Sequence, residues 1–151
     1  MKRLLVVLVS FVCLVAVMAG CQQLSEERFY SRVGDSGLAT SDMAIPKELS
    51  DKGITKYDVA MKDSCYSIEY YEFSSDNEAE AYYSDIAKKY NELFDEDCSD
   101  VYVDGHNEYT LDNEMLYIKG YREGNKLAVL FVQDLSYKNT SLKIFNDIVV
   151  K

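Results

Sequence analysis

The run from Leu4 to Met18 is almost wholly apolar and follows a short positive start, Met1-Lys2-Arg3. A membrane-spanning helix needs roughly 17–25 apolar residues, and this run lies at or below that range. A positive start, an apolar centre and a pair of small residues, here Ala19-Gly20, make the layout of a secretory signal peptide. Such a segment is removed, so residues 1–20 are withdrawn from the folded domain, and everything after them is expected on the far side of a membrane.

The four residues Met18-Ala19-Gly20-Cys21 add a narrower feature. An aliphatic position, two small residues and a cysteine resemble the lipobox of bacterial lipoprotein signals, with Met18 standing where Leu is preferred. The resemblance implies a thioether-linked diacylglycerol on Cys21, cleavage between Gly20 and Cys21, and a mature chain that starts at Cys21. Two or more acyl chains hold a protein stably where one holds it only marginally. Gln22 after the cysteine, rather than Asp, resembles outer-membrane sorting where a cell has two membranes. Cys13, inside the apolar run, is lost with the signal.

Cleavage leaves 151 − 20 = 131 residues, enough for one domain with a real core. The signal carries Lys2 and Arg3 and no acid, so the mature net charge is 16 − 2 − 26 = −12. That balance argues against nucleic acid and anionic lipid surfaces as partners. Thirteen Tyr and six Phe argue for a folded domain rather than disorder.

Residues 21–40 read as a lipid-anchored tether. Ser25, Glu26, Glu27 and Arg28 are polar and Gly34-Asp35-Ser36-Gly37 is turn chemistry, although Phe29 and Tyr30 would let part of it dock. The folded domain is then expected over 41–151. Ser41-Asp42 and Lys52-Gly53 bracket a short helix, with Pro46 confined to its first turn. Alternation predicts a strand over Tyr57–Met61 and a second over Cys65–Phe73, joined by a hairpin at Lys62-Asp63-Ser64.

The clearest helix is Asp76–Leu93. Ser75 and Glu78 have capping-box spacing, and Ala79, Tyr83, Ile86, Tyr90 and Leu93 recur on one face. A meander follows: Val101–Val103, Glu108–Leu111, Glu114–Arg122 and Lys126–Gln133, with loops at Asp112-Asn113 and Glu123-Gly124-Asn125. The last of these strands, with Leu127–Val132 apolar on both faces, is expected to be central and covered on both sides. Asn139–Val150 reads as a closing amphipathic helix. The result is an α+β fold, mostly antiparallel, with a strand hairpin, a long helix, a C-terminal meander and a C-terminal helix packed on the sheet. Its element order weakly resembles the small α+β domains of uncharacterised bacterial lipoproteins, and that resemblance implies no activity.

Two cysteines remain after Cys21. A nine-residue strand is roughly 30 Å long, and an eighteen-residue helix returning over it is roughly 27 Å long. Cys98 is therefore expected near Cys65, in a compartment where a disulfide can form; two buried free thiols are the alternative.

Catalytic vocabulary is sparse. The single histidine, His106, stands in the turn Asp104-Gly105-His106-Asn107 with no nucleophile or orienting partner marked beside it. Asp95, Glu96, Asp97, Asp100 and Asp104 invite a calcium reading, but in EF-hand register the Gly position falls on Asp100 and the final Glu position on His106. No Gly-rich phosphate loop or GxSxG elbow is present, and no cofactor or metal is expected. Asn139-Thr140-Ser141 fits a glycosylation acceptor and occurs often by chance.

Tyr66, Tyr70, Tyr71, Tyr83, Tyr102, Tyr109, Tyr117 and Tyr121 concentrate in and near the expected sheet. They read either as packing or as an interaction surface, with Tyr117 and Tyr121 the positions for a partner to touch. The expectation is a membrane-anchored extracytoplasmic lipoprotein, held by lipid on Cys21, that acts as a non-catalytic binding or accessory module toward an envelope protein or peptide. An envelope hydrolase using carboxylates and a purely structural lipoprotein are the alternatives.

Overall fold

The computed structural model describes residues 24–42, 44–94, 99–103 and 106–149. Seven strands form one sheet in the order β1-β2-β3-β7-β6-β5-β4, and every neighbouring pair is antiparallel. The strands are β1 (Ala39–Asp42), β2 (Ile54–Lys62), β3 (Tyr66–Phe73), β4 (Ser99–Val103), β5 (His106–Asp112), β6 (Tyr117–Glu123) and β7 (Lys126–Val132). The helices are α1 (Glu26–Asp35), α2 (Lys47–Ser50), α3 (Asp76–Phe94) and α4 (Lys138–Ile148), with a 3-10 turn at Leu135–Tyr137. The fold is α+β.

Strand β7 occupies the middle of the sheet, as its unbroken apolar run requires. Its residues alternate between two cores. Ala128, Leu130 and Val132 join Tyr66, Ile68 and Tyr70 beneath α1 and α4, together with Phe29, Val33, Phe145 and Ile148. Leu127 and Val129 join Tyr71, Phe73, Tyr109 and Ile118 on the opposite face, beneath Ala79, Tyr83 and Ala87 of α3.

Helix α3 starts where its capping residues stand. The Glu78 N–H donates to Ser75 Oγ at 3.3 Å, and the Ser75 hydroxyl donates to Glu78 Oε2 at 3.1 Å. The β2–β3 hairpin turns where expected, with Asp63 at φ 47. The β6–β7 turn is tighter than expected, two residues between Glu123 and Lys126, with Gly124 at φ +57. Gly120 has an ordinary φ but cannot carry a side chain, because a Cβ there would overlap the ring of Tyr109, its cross-strand partner.

Three expectations change. The tether over 21–40 is folded from Leu24 onward. Ser25 caps α1 by accepting from the Arg28 N–H at 3.3 Å, and Leu24, Phe29 and Val33 are buried in the core. The apolar residues at 24, 29 and 33 therefore make a stripe rather than exceptions in a polar stretch. Residues 39 and 40, expected at the end of the tether, and Ser41-Asp42, expected to start a helix, pair with β2 as edge strand β1. The helix begins only after Pro46, because a residue preceding proline is driven out of helical geometry. Strand β6 starts at Tyr117 rather than Glu114, since Asn113 Oδ1 accepts from the Met115 and Leu116 N–H groups at 2.9 and 3.0 Å and holds a turn there.

Because α1 is part of the core, Phe29→Ala is expected to lower unfolding free energy by about 3–5 kcal/mol, the usual cost of emptying a buried phenylalanine site. Urea denaturation of residues 21–151 checks it; a change under about 0.5 kcal/mol, the surface norm, would restore the tether.

Candidate functional site: a groove beside the C-terminal helix

The sheet, α1 and α4 do not meet flush at the β2–β3 hairpin. They leave an open groove of about 460 Å³ lined by Ser36, Leu38, Lys62, Tyr66, Tyr137, Thr140, Lys143, Ile144 and Asp147. The lining comes from distant parts of the chain. Gly37, at φ +67, ends α1 and turns Leu38 inward, and the Leu38 N–H donates to the Val33 carbonyl at 3.2 Å. Tyr66 opens β3. Tyr137 is held by the turn in which Asp134 Oδ1 accepts from the Ser136 N–H at 3.0 Å and Tyr137 N–H reaches the Asp134 carbonyl at 2.9 Å. Helix α4 then presents Thr140, Lys143, Ile144 and Asp147 on successive turns.

The floor is apolar and aromatic, with the Tyr66 and Tyr137 rings 6.0 Å apart. Burial is the main reason the Tyr66 hydroxyl is held above its ordinary pKa, with Tyr137 and Cys65 adding to it, so it stays a neutral donor. Lys62 and Lys143 are exposed and lie in this groove with a single carboxylate, Asp147. In a chain with 26 acidic residues against 16 basic ones, two cations over an apolar floor form a local inversion of charge. Such a concavity accepts an apolar or aromatic body that carries a negative group.

Carboxylates withdrawn from solvent lie elsewhere, on both faces of the sheet. Asp58 is 1% exposed on the α1 side and accepts from Tyr30 Oη at 2.6 Å. Its other oxygen is 4.0 Å from Lys56 Nζ, which itself bonds Glu26. Glu69 lies on the α3 side, bonded by the Tyr71 hydroxyl among Tyr57, Tyr82 and Tyr90. Burial raises the Glu69 carboxyl above its ordinary range, and the Tyr71 hydrogen bond opposes that only in part. The sheet separates Glu69 from Asp58, whereas Glu26 and Glu72 lie with Asp58 on the α1 side, around Lys56 and the Tyr70 hydroxyl, which donates to Glu72 Oε1 at 2.6 Å.

Tyr117 and Tyr121, read from the sequence as an interaction surface, are core residues at 5% and 4% exposure. Tyr66, Tyr70, Tyr71, Tyr83 and Tyr109 are buried with them. The spacing that put Tyr117 and Tyr121 on one face was right; that face lies under α4, where Lys138 Nζ stands 4.6 Å from the Tyr117 ring centroid. His106 opens β5, between Val103 of edge strand β4 and Glu123 of β6. Cys21, Gly20, Asp95, Glu96, Asp97, Cys98 and Asp104 fall outside the described residues. Among the described residues no group of three His, Cys, Asp or Glu side chains could hold a metal, and no helix is long and apolar enough to cross a membrane.

No protein-family model matches the chain, and no curated protein matches it in sequence.

The two thiols can be compared through strand order. Cys65 is half-buried at the start of β3 and unpaired among the described residues, while its expected partner Cys98 lies outside them. Ser99, the next residue, starts β4, which is four strand spacings from β3. At about 4.8 Å each that is roughly 19 Å, against the roughly 7 Å between Cα atoms that a disulfide spans. The strand order predicts that Cys65 alkylates without reduction; a Cys65–Cys98 crosslinked peptide in non-reducing mass spectra would require β4 to leave the sheet. Glu69 gives a second expectation. A carboxyl raised on folding favours the protonated native state, so its contribution is full below the ordinary range and lost as pH rises through the folded value. Glu69→Gln should therefore melt above the parent at neutral pH, and the gap should close toward about pH 4. A gap independent of pH would remove this account.

Proposed function

We propose that the chain is a membrane-anchored extracytoplasmic lipoprotein that acts as a non-catalytic binding module, receiving an apolar ligand or peptide segment with an acidic group in the groove between α4 and the β2–β3 hairpin. The observation that carries the reading is the pairing of Lys62 and Lys143 over the Leu38, Tyr66, Tyr137 and Ile144 floor. The lipobox-like Met18-Ala19-Gly20-Cys21 supports attachment through Cys21. The binding energy would come mainly from the apolar floor, and the lysines would select the sign of the ligand's charge.

The hydrolase alternative needs carboxylates free to act on one substrate; Glu26, Asp58 and Glu72 do come together on the α1 side, but they are engaged by Lys56 and by the Tyr30 and Tyr70 hydroxyls and do not line the groove. A purely structural role requires no such concavity.

Anilinonaphthalene sulfonate, an aromatic body with one anionic group, is a suitable probe. The Lys62→Glu, Lys143→Glu double variant should bind it about tenfold more weakly, a loss of about 1.4 kcal/mol, with its melting temperature little changed. In cells, a photo-crosslinker at Thr140 should capture the natural partner in the parent and not in the double variant. Equal probe affinity and equal capture would sink the groove assignment.

A further inference from the structure

The start of α1 and the groove lie at opposite ends of the domain. Leu24 is 1% exposed, and its N–H donates to Glu123 Oε2 at 2.7 Å, beside the β6–β7 turn. It shares a small notch there with Asp76, Gly124, Asn125 and Lys126. Asn125 in turn bonds both backbone groups of Phe73, the last residue of β3, at 2.9 and 2.8 Å. Tyr66, the first residue of β3, lines the groove. Seven residue steps separate the two ends of that strand, or roughly 23 Å at about 3.3 Å per step. Helix α1 runs the same way, from Glu26 near the notch to Ser36 and Leu38 in the groove.

Cys21 is three residues before Leu24, with only Gln22 and Gln23 between them. Whatever shape those two residues take, three Cα–Cα steps reach at most about 11 Å. The buried and bonded Leu24 therefore fixes where an acylated Cys21 must be. Resting on the lipoprotein reading above, we infer that the β6–β7 turn end of the domain is held against the bilayer and that the groove is held at the far end, facing away from the lipid. The partner of this surface is the membrane that carries the anchor. Attraction between domain and headgroups is not what orients it, since the mature chain's net charge of 16 − 2 − 26 = −12 disfavours an anionic surface. The orientation comes from the short link: a flexible stalk would let either end approach, whereas a link of two residues between fixed points does not.

The test uses the full lipidated protein in phosphatidylcholine vesicles that contain a headgroup nitroxide lipid, a short-range quencher. A bimane label is placed at Lys126→Cys or at Ser64→Cys in a Cys65→Ser, Cys98→Ser background, with Cys21 retained. Loss of most emission at position 126 and little loss at position 64 is the expected result. A long Gly/Ser insertion between Gln23 and Leu24 should erase that difference. Paramagnetic broadening of the unsubstituted lipidated protein in bicelles reads the same gradient should the substituted background fail to fold. Equal quenching at both ends, or a gradient that survives the insertion, overturns the orientation while diacylglycerol mass on the Cys21 peptide leaves the anchor standing. An N-terminal peptide without lipid overturns both.

Discussion

The structure depends on one constraint: its middle strands are apolar on both faces. Strand β7 places Leu127 and Val129 toward one core and Ala128, Leu130 and Val132 toward the other. Strand β3 does the same with Tyr66, Ile68 and Tyr70 against Tyr71 and Phe73. A sheet of this kind has no face to give to water, so each side must be covered. Helix α3 covers one, over Leu127 and Val129. The other takes two shorter helices from the two ends of the described chain, α1 and α4, which also touch each other through Arg28 Nε and the Asp147 carbonyl at 2.9 Å. The groove lies on this face, between these two helices and the β2–β3 hairpin. Where α1 ends at Gly37 and α4 begins after the Leu135–Tyr137 turn, Tyr66 and Leu38 are left with a partly open side.

Legibility in the sequence followed the range of the interactions concerned. Features set by neighbours a few residues apart were readable. Ser75 and Glu78 marked the start of α3, Asp63 sat in the expected hairpin turn, and the two-sided run Leu127–Val132 placed β7 centrally. Ser41-Asp42 was misread because the two residues carry helix-start chemistry, while the pairing of β1 with β2 is decided by a partner strand about twenty positions away. Tyr117 and Tyr121 were placed on the correct shared face, but alternation along a strand does not say which face a distant helix will cover.

The groove was the least legible part. Lys62 stands at a hairpin turn and Lys143 on a helix, and each alone is an ordinary solvated lysine. Only the fold brings them over the same floor, and Leu38 reached that floor through a segment read as a tether. The one prior hint was Tyr66, counted among the sheet tyrosines without any sign that it lay at an open end.

The contacts that seat α1 have a consequence for when the domain can close. Leu24 bonds Glu123, and Arg28 bonds Asp147, 99 and 119 positions further along. Helix α1 is thus among the last of the described elements to find its place, because both partners are made about a hundred residues after it. Until residue 147 has emerged, Phe29 and Val33 have no completed pocket, and one face of the growing sheet stays open. Contacts of such sequence separation are slow to form. Helix α1 therefore stays unlatched until the β6–β7 turn and α4 have both been made.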